Sequence, residues 1–176
     1  MSFFKNRAVA IIIAGLVIVG STGASAISGL NKLYEKQVED VFADELEGKM
    51  DNCASAATGV ATTLVAYPEY QEQMTALRSA RNGYLESRSV EEKIIYYVKL
   101  KENMDGIKDL VYAGAFSEQD EKMLSAYFSS YDTAVLDVIR STGTYNKSAE
   151  AFIDTITSFP TNFFAEFTDL GIPEIL

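Results

Sequence analysis

The chain has 176 residues, a formal net charge of -10, one cysteine, no histidine and no tryptophan. With 48% hydrophobic residues it carries enough apolar side chain for a real core and is not a disordered segment. The acidic balance excludes nucleic acid, whose phosphates need clustered Lys and Arg, and docking on anionic lipid through a basic patch. The missing histidine excludes Ser-His-Asp and Cys-His catalysis, histidine metal sites and the Glu-x-x-His di-iron bundles within this chain.

Lys5 and Arg7 precede a strongly apolar run, Ala8 to Gly20, and then the small-residue stretch STGASAISGL. No charge falls between Ala8 and Asn31. Two readings stand. Ala24-Ser25-Ala26 has the small-x-small form of a signal-peptide cleavage site. Ala8–Leu30, about 23 uncharged residues, is also long enough to span a bilayer with some tilt. Either way the segment targets a membrane. The preceding positive charges favour a cytoplasmic N-terminus, with the rest of the chain outside the cytoplasm. The protein is then single-pass in the cell membrane, or secreted after cleavage at Ala26. The division expected is residues 1–30 as anchor or signal and 31–176 as one domain.

Beyond it, apolar residues recur at steps of three and four: Leu30, Leu33, Tyr34, Val38, Val41, Phe42, Leu46, Met50, Cys53, Ala57, Val60 and Leu64. That is a helical period. Tyr67-Pro68 ends it, because the residue before proline avoids the helical region. The helix is about 36 residues and about 54 Å long. Pro68 suits the first turn of a second helix, marked by Tyr70, Met74, Leu77, Arg81, Tyr84 and Leu85. Ser89 and Glu92 read as a capping box opening a third helix with Ile94, Tyr97, Val98, Met104, Ile107, Leu110 and Val111. The loop YAGAF breaks it, and Ser117 with Asp120 caps the next. The fourth helix carries Met123, Leu124, Tyr127, Phe128, Tyr131, Val135, Val138, Ile139, Tyr145, Ala149, Phe152, Ile153 and Ile156, with Gly143 as a candidate kink and Pro160 as its stop. The expectation is all-α: an antiparallel four-helix bundle with long first and last helices. Its aromatic stripes and Cys53 belong to the core.

Two surfaces are candidates for interaction. Asp40, Asp44, Glu47 and Asp51 step by four, three and four, which places them on one helical face. They read as a docking stripe for cations or a basic partner, or as a solvated face opposite the core. Beyond the last long helix, Phe159, Phe163, Phe164 and Phe167 either pack back over the open end of the bundle or form an exposed aromatic anchor. Glu45–Lys49 and Glu118–Lys122 are expected surface ion pairs. No pattern nominates a catalytic residue, a metal ligand or a cofactor site, and the chain is not expected to be an enzyme.

At YNKSAEAFIDTITSFPTNFFA, Tyr145 to Ala165, the sequence resembles the bacterial LemA family. The matching positions are Tyr145, Asn146, Phe152, Ile156, Phe159, Pro160, Asn162 and Ala165. VEDVFAD (Val38 to Asp44) and SARNGY (Ser79 to Tyr84) are similar to two further segments of that family. The chain departs where the family carries an Asp-Leu-Ile-Pro-Asn type run; here stands GKMDNCASAATGVATTLV. The resemblance implies a membrane-anchored helical bundle without enzymatic chemistry, and it favours retention of the apolar segment. The function expected is a non-catalytic interaction or scaffold protein held by Ala8–Leu30, with an unidentified protein partner or a second copy of itself. The alternative is a sensory bundle binding a small ligand between its helices, for which the lack of a second apolar run of membrane length is unfavourable.

Overall fold

The computed structural model describes residues 23–158, 161–166, 168 and 170–176. Among these there is no strand. Four long helices make the molecule: α1 over residues 23–63, α2 Gln71–Glu86, α3 Val90–Val111 and α4 Glu118–Thr157. A single short helix, α5 Thr161–Ala165, follows. The all-helical bundle with a long first and last helix is as expected. Most of the apolar segment Ala8–Leu30, and Pro160, lie outside the described residues. No helix within them is long and apolar enough to cross a membrane.

The breaks fall where local chemistry demands. Leu64–Ala66 tightens into a 3-10 turn, and Tyr67 is extended at φ -119° and ψ 92°, ahead of Pro68. Ser89 Oγ accepts from the Glu92 amide at 3.2 Å, and Ser117 Oγ from the Asp120 amide at 3.1 Å, closing the starts of α3 and α4. α4 continues through Gly143 without interruption.

α1 is not uniform. Its first buried residues are Leu30, Tyr34, Val38, Phe42, Leu46 and Met50, spaced by fours. In a regular α-helix each four-residue step overshoots a full turn by about 40°, so five steps would swing the stripe about 200° around the axis. Two π turns, Glu35–Glu39 and Ala43–Glu47, prevent this. In the first, the Asp40 amide donates to the Glu35 carbonyl, five residues back, so the turn holds more residues than an α turn. Past Met50 the buried positions become Cys53, Ala57, Val60 and Leu64, in steps of three and four. The helix is then regular over Gly48–Thr63.

α1 packs most extensively on α4. Tyr34 meets Phe152 edge-on at 5.3 Å between ring centroids, Phe42 meets Tyr145 at 5.9 Å, and Tyr67 Oη donates to Asp120 at 2.6 Å. Numbers rise along α1 as they fall along α4. The Tyr127 ring lies directly on Gly59, where a Cβ would stand 2.4 Å from it. α2 and α3 form a hairpin against α1, and Tyr96 covers Gly83 in the same way. The core is one continuous cluster of Leu, Ile, Val, Met, Ala and aromatic residues, with Cys53 in it. No polar or charged residue is buried among the described ones.

Four residues counted on core stripes lie outside. Leu85, Val98, Leu110 and Ile139 are all more than two-fifths exposed. Each follows or precedes a buried neighbour (Tyr84, Tyr97, Val111 and Val138), so it stands about 100° off the buried face. A position adjacent to a stripe residue is easily mistaken for part of the stripe.

Candidate interaction surfaces

The buried tyrosines organise the charged layer around the core. Their rings fill it, and their hydroxyls reach its edge and donate to carboxylates on a neighbouring helix. Tyr34 donates to Glu91, Tyr84 to Asp51 at 2.9 Å and Tyr131 to Asp105 at 3.1 Å. Burial, reinforced by these carboxylates, pushes the three phenols well above their ordinary range. Tyr97 is raised by burial and by the Cys53 sulfur beside it. The Cys53 thiol is itself pushed up to about 11, chiefly by burial, which makes it inert rather than nucleophilic. At the chain reversal, the hydroxyls of Tyr67 and Ser117 both serve Asp120 and hold its carboxyl below the usual range.

This layer divides the acidic stripe. Asp51 is taken by Tyr84, and Glu47 accepts from Lys93, whose ammonium also stands 5.6 Å from the centre of the Tyr84 ring. Glu47 and Asp51 therefore pin the α2–α3 hairpin to α1. Asp40, Asp44 and Asp51 are all exposed, and Glu47 is half-buried. The π turn Ala43–Glu47 holds both Asp44 and Glu47, and a three-residue step inside it closes less of a turn than in an α-helix. The expected ion pairs are present as surface contacts: Lys49 lies 3.9 Å from Glu45, and Lys122 lies 2.7 Å from Glu118.

The C-terminal segment returns to the bundle. Asn146 Nδ2 donates to the Leu176 main-chain oxygen at 2.6 Å, and its Oδ1 accepts from the Leu176 amide at 3.1 Å. Tyr145 Oη donates to the Glu174 carbonyl at 3.1 Å. Pro173 is buried, and Leu170 and Leu176 pack on the core. Sequence reasoning missed this pin; its only sign was the Tyr145-Asn146 pair itself, quoted for the resemblance. Phe163 and Phe164 fall in α5. Phe159 and Phe167 lie outside the described residues, so the aromatic-anchor question falls there too.

Two clefts open at opposite ends. Near the start of α1, a cleft of about 460 Å³ is lined by Asn31, Lys32, Glu35, Glu39, Glu91 and Gly171 among others. At the far end, one of about 310 Å³ lies between the α3–α4 loop and α4. Among the described residues no group of three or more Asp, Glu and Cys side chains is arranged to hold a metal ion. No family model, no curated protein and no solved structure matches this chain.

Proposed function

We propose that the protein is a membrane-anchored, non-catalytic interaction or scaffold protein of LemA-like kind. It is an antiparallel four-helix bundle held outside the cytoplasm by Ala8–Leu30. The observation that carries this reading is the course of α1. Its described part begins at residue 23, inside the apolar segment, and runs helical to residue 63. Ala24-Ser25-Ala26 is helical there, whereas a peptidase takes its site as extended chain. Leu30, at the end of the apolar segment, is only 4% exposed. The absence of buried polar side chains between the described helices supports a scaffold over a receptor with a ligand inside its bundle.

Fractionation of the native host with intact-mass measurement tests the anchor. A full-length mass in the membrane fraction is the expected result. A mass beginning at Ile27 in a soluble extracytoplasmic fraction overturns it and makes the protein a secreted binding module. For the partner, the surface to alter is now Asp40 and Asp44, since Glu47 and Asp51 serve the fold. Charge reversal at both abolishes co-purification from membranes if that surface docks a basic protein, with helix content unchanged by circular dichroism.

A further inference from the structure

The cleft at the far end is built for a particular ligand chemistry. Its floor is buried Val111, Leu124 and Phe128. Phe116 forms a wall that is itself held, stacked on Tyr70 at 5.7 Å and edge-on to Tyr67 at 4.8 Å. Tyr112 stands at the rim, 72% exposed, its ring centroid 6.4 Å from that of Phe128. The loop passes this cluster closely: a Cβ on Gly114 would come within 2.3 Å of Tyr70 Oη and 2.7 Å of the Phe116 ring. Three aromatic rings from the loop and α4 thus converge on one small volume.

Only one charged side chain lines it, Glu121. Its neighbour Glu118 is neutralised by Lys122, whereas Glu121 has no Lys or Arg partner within salt-bridge distance among the described residues. Aromatic faces attract cations, and a carboxylate at the rim supplies the counter-charge. An anion is repelled by Glu121 and by the ring faces. A neutral apolar group would leave the carboxylate unused. A metal ion would find a single carboxylate and no ligand set. The volume lies at the small end of ligand pockets.

From the rings and the single carboxylate we infer that this cleft binds a small quaternary or methylated ammonium ion. Its alkyl shell sits against Phe116, Phe128 and Tyr112, and its charge is met by Glu121. The inference is independent of membrane anchoring, because the cleft is formed wholly by the described bundle.

The test is calorimetric titration of the full chain in a maltoside detergent, free of choline lipids. Choline and tetramethylammonium are compared with 3,3-dimethylbutanol, the uncharged carbon analogue of choline, at matched ionic strength. Saturable binding of the two cations and none of the alcohol is expected. E121Q weakens cation binding about tenfold, Y112A weakens it comparably, and E118Q leaves it unchanged. Tyr112 is at the rim, so melting curves of Y112A should match those of the parent chain. Equal binding of the alcohol, indifference to E121Q, or no saturable binding of either cation overturns the inference. So does binding of a trimethyllysine peptide without binding of free choline, which would make the cleft a protein-docking site.

Discussion

At the scale of single residues, the molecule holds its helices together with phenol–carboxylate pairs more than with ion pairs. Exposed ion pairs such as Lys122–Glu118 contribute little. Tyr131 combines a ring buried in the core with a hydrogen bond to a charged acceptor, and such bonds are worth about 1.5–3 kcal/mol. These pairs predict the alkaline limit of the fold. Tyr34, Tyr84, Tyr97, Tyr131 and Tyr145 all have folded-state pKa values raised above the unfolded value of 10.0. Their contribution is whole below that pH and is lost as pH rises beyond it, because the unfolded chain gives up its phenolic protons first. Phenolate absorbance from these five is expected to appear together with loss of helical circular dichroism, in one cooperative step. Full phenolate absorbance over an intact helical spectrum would show that they are not buried as described.

At the scale of helices, two glycines are packing devices. Gly59 and Gly83 each lie under a tyrosine ring that a methyl group would displace. Alanine normally favours a helix over glycine by about 1 kcal/mol, but overpacking costs about 1–3 kcal/mol. Gly59→Ala is expected to lower stability by up to about 2 kcal/mol in denaturant titrations. Gly143→Ala, where nothing lies within 4 Å, is expected to raise it by up to about 1 kcal/mol. If the two substitutions behave alike, the Tyr127 contact is not what Gly59 serves. The helix ends were legible because they are local: Tyr67-Pro68, Ser89 with Glu92 and Ser117 with Asp120 act over three or four residues. The π turns were less so, although their trace is in the sequence. A run of apolar residues at unbroken fours, Leu30 to Met50, cannot stay on one face of a regular helix, and a reading that accepts threes and fours alike passes over it.

At the scale of the whole chain, the core is one cluster and α1 reaches all the other long helices. The residues that fail the sequence reading are those whose surroundings depend on chain-distant partners. Glu47 and Asp51 look like unpartnered surface, and only the α2–α3 hairpin brings them Lys93 and Tyr84. Asn146 looks like an ordinary helix residue until the C-terminal segment, 30 positions on, closes on it. That closure can be tested separately from the bundle. Asn146→Ala removes both bonds to Leu176 and is expected to cost about 2 kcal/mol locally. Hydrogen exchange should quicken over residues 170–176 while the α1 and α4 amides keep their protection. Slow exchange in the tail of the variant would mean that Pro173, Leu170 and Leu176 hold it without the asparagine.

The two π turns have a consequence for how the bundle tolerates changes in length. A π turn is an α turn that has taken in one surplus residue. Exposed Lys36 lies in the first of them. Loss of one residue there can be absorbed by relaxation to ordinary winding, where elsewhere in the helix it would throw the whole seam out of register. The N-terminal side then keeps its azimuth, so Leu30 and Tyr34 stay on the buried face. This first stretch of α1 can therefore act as a slack joint, taking up a one-residue change in length without altering how Tyr34 meets Phe152.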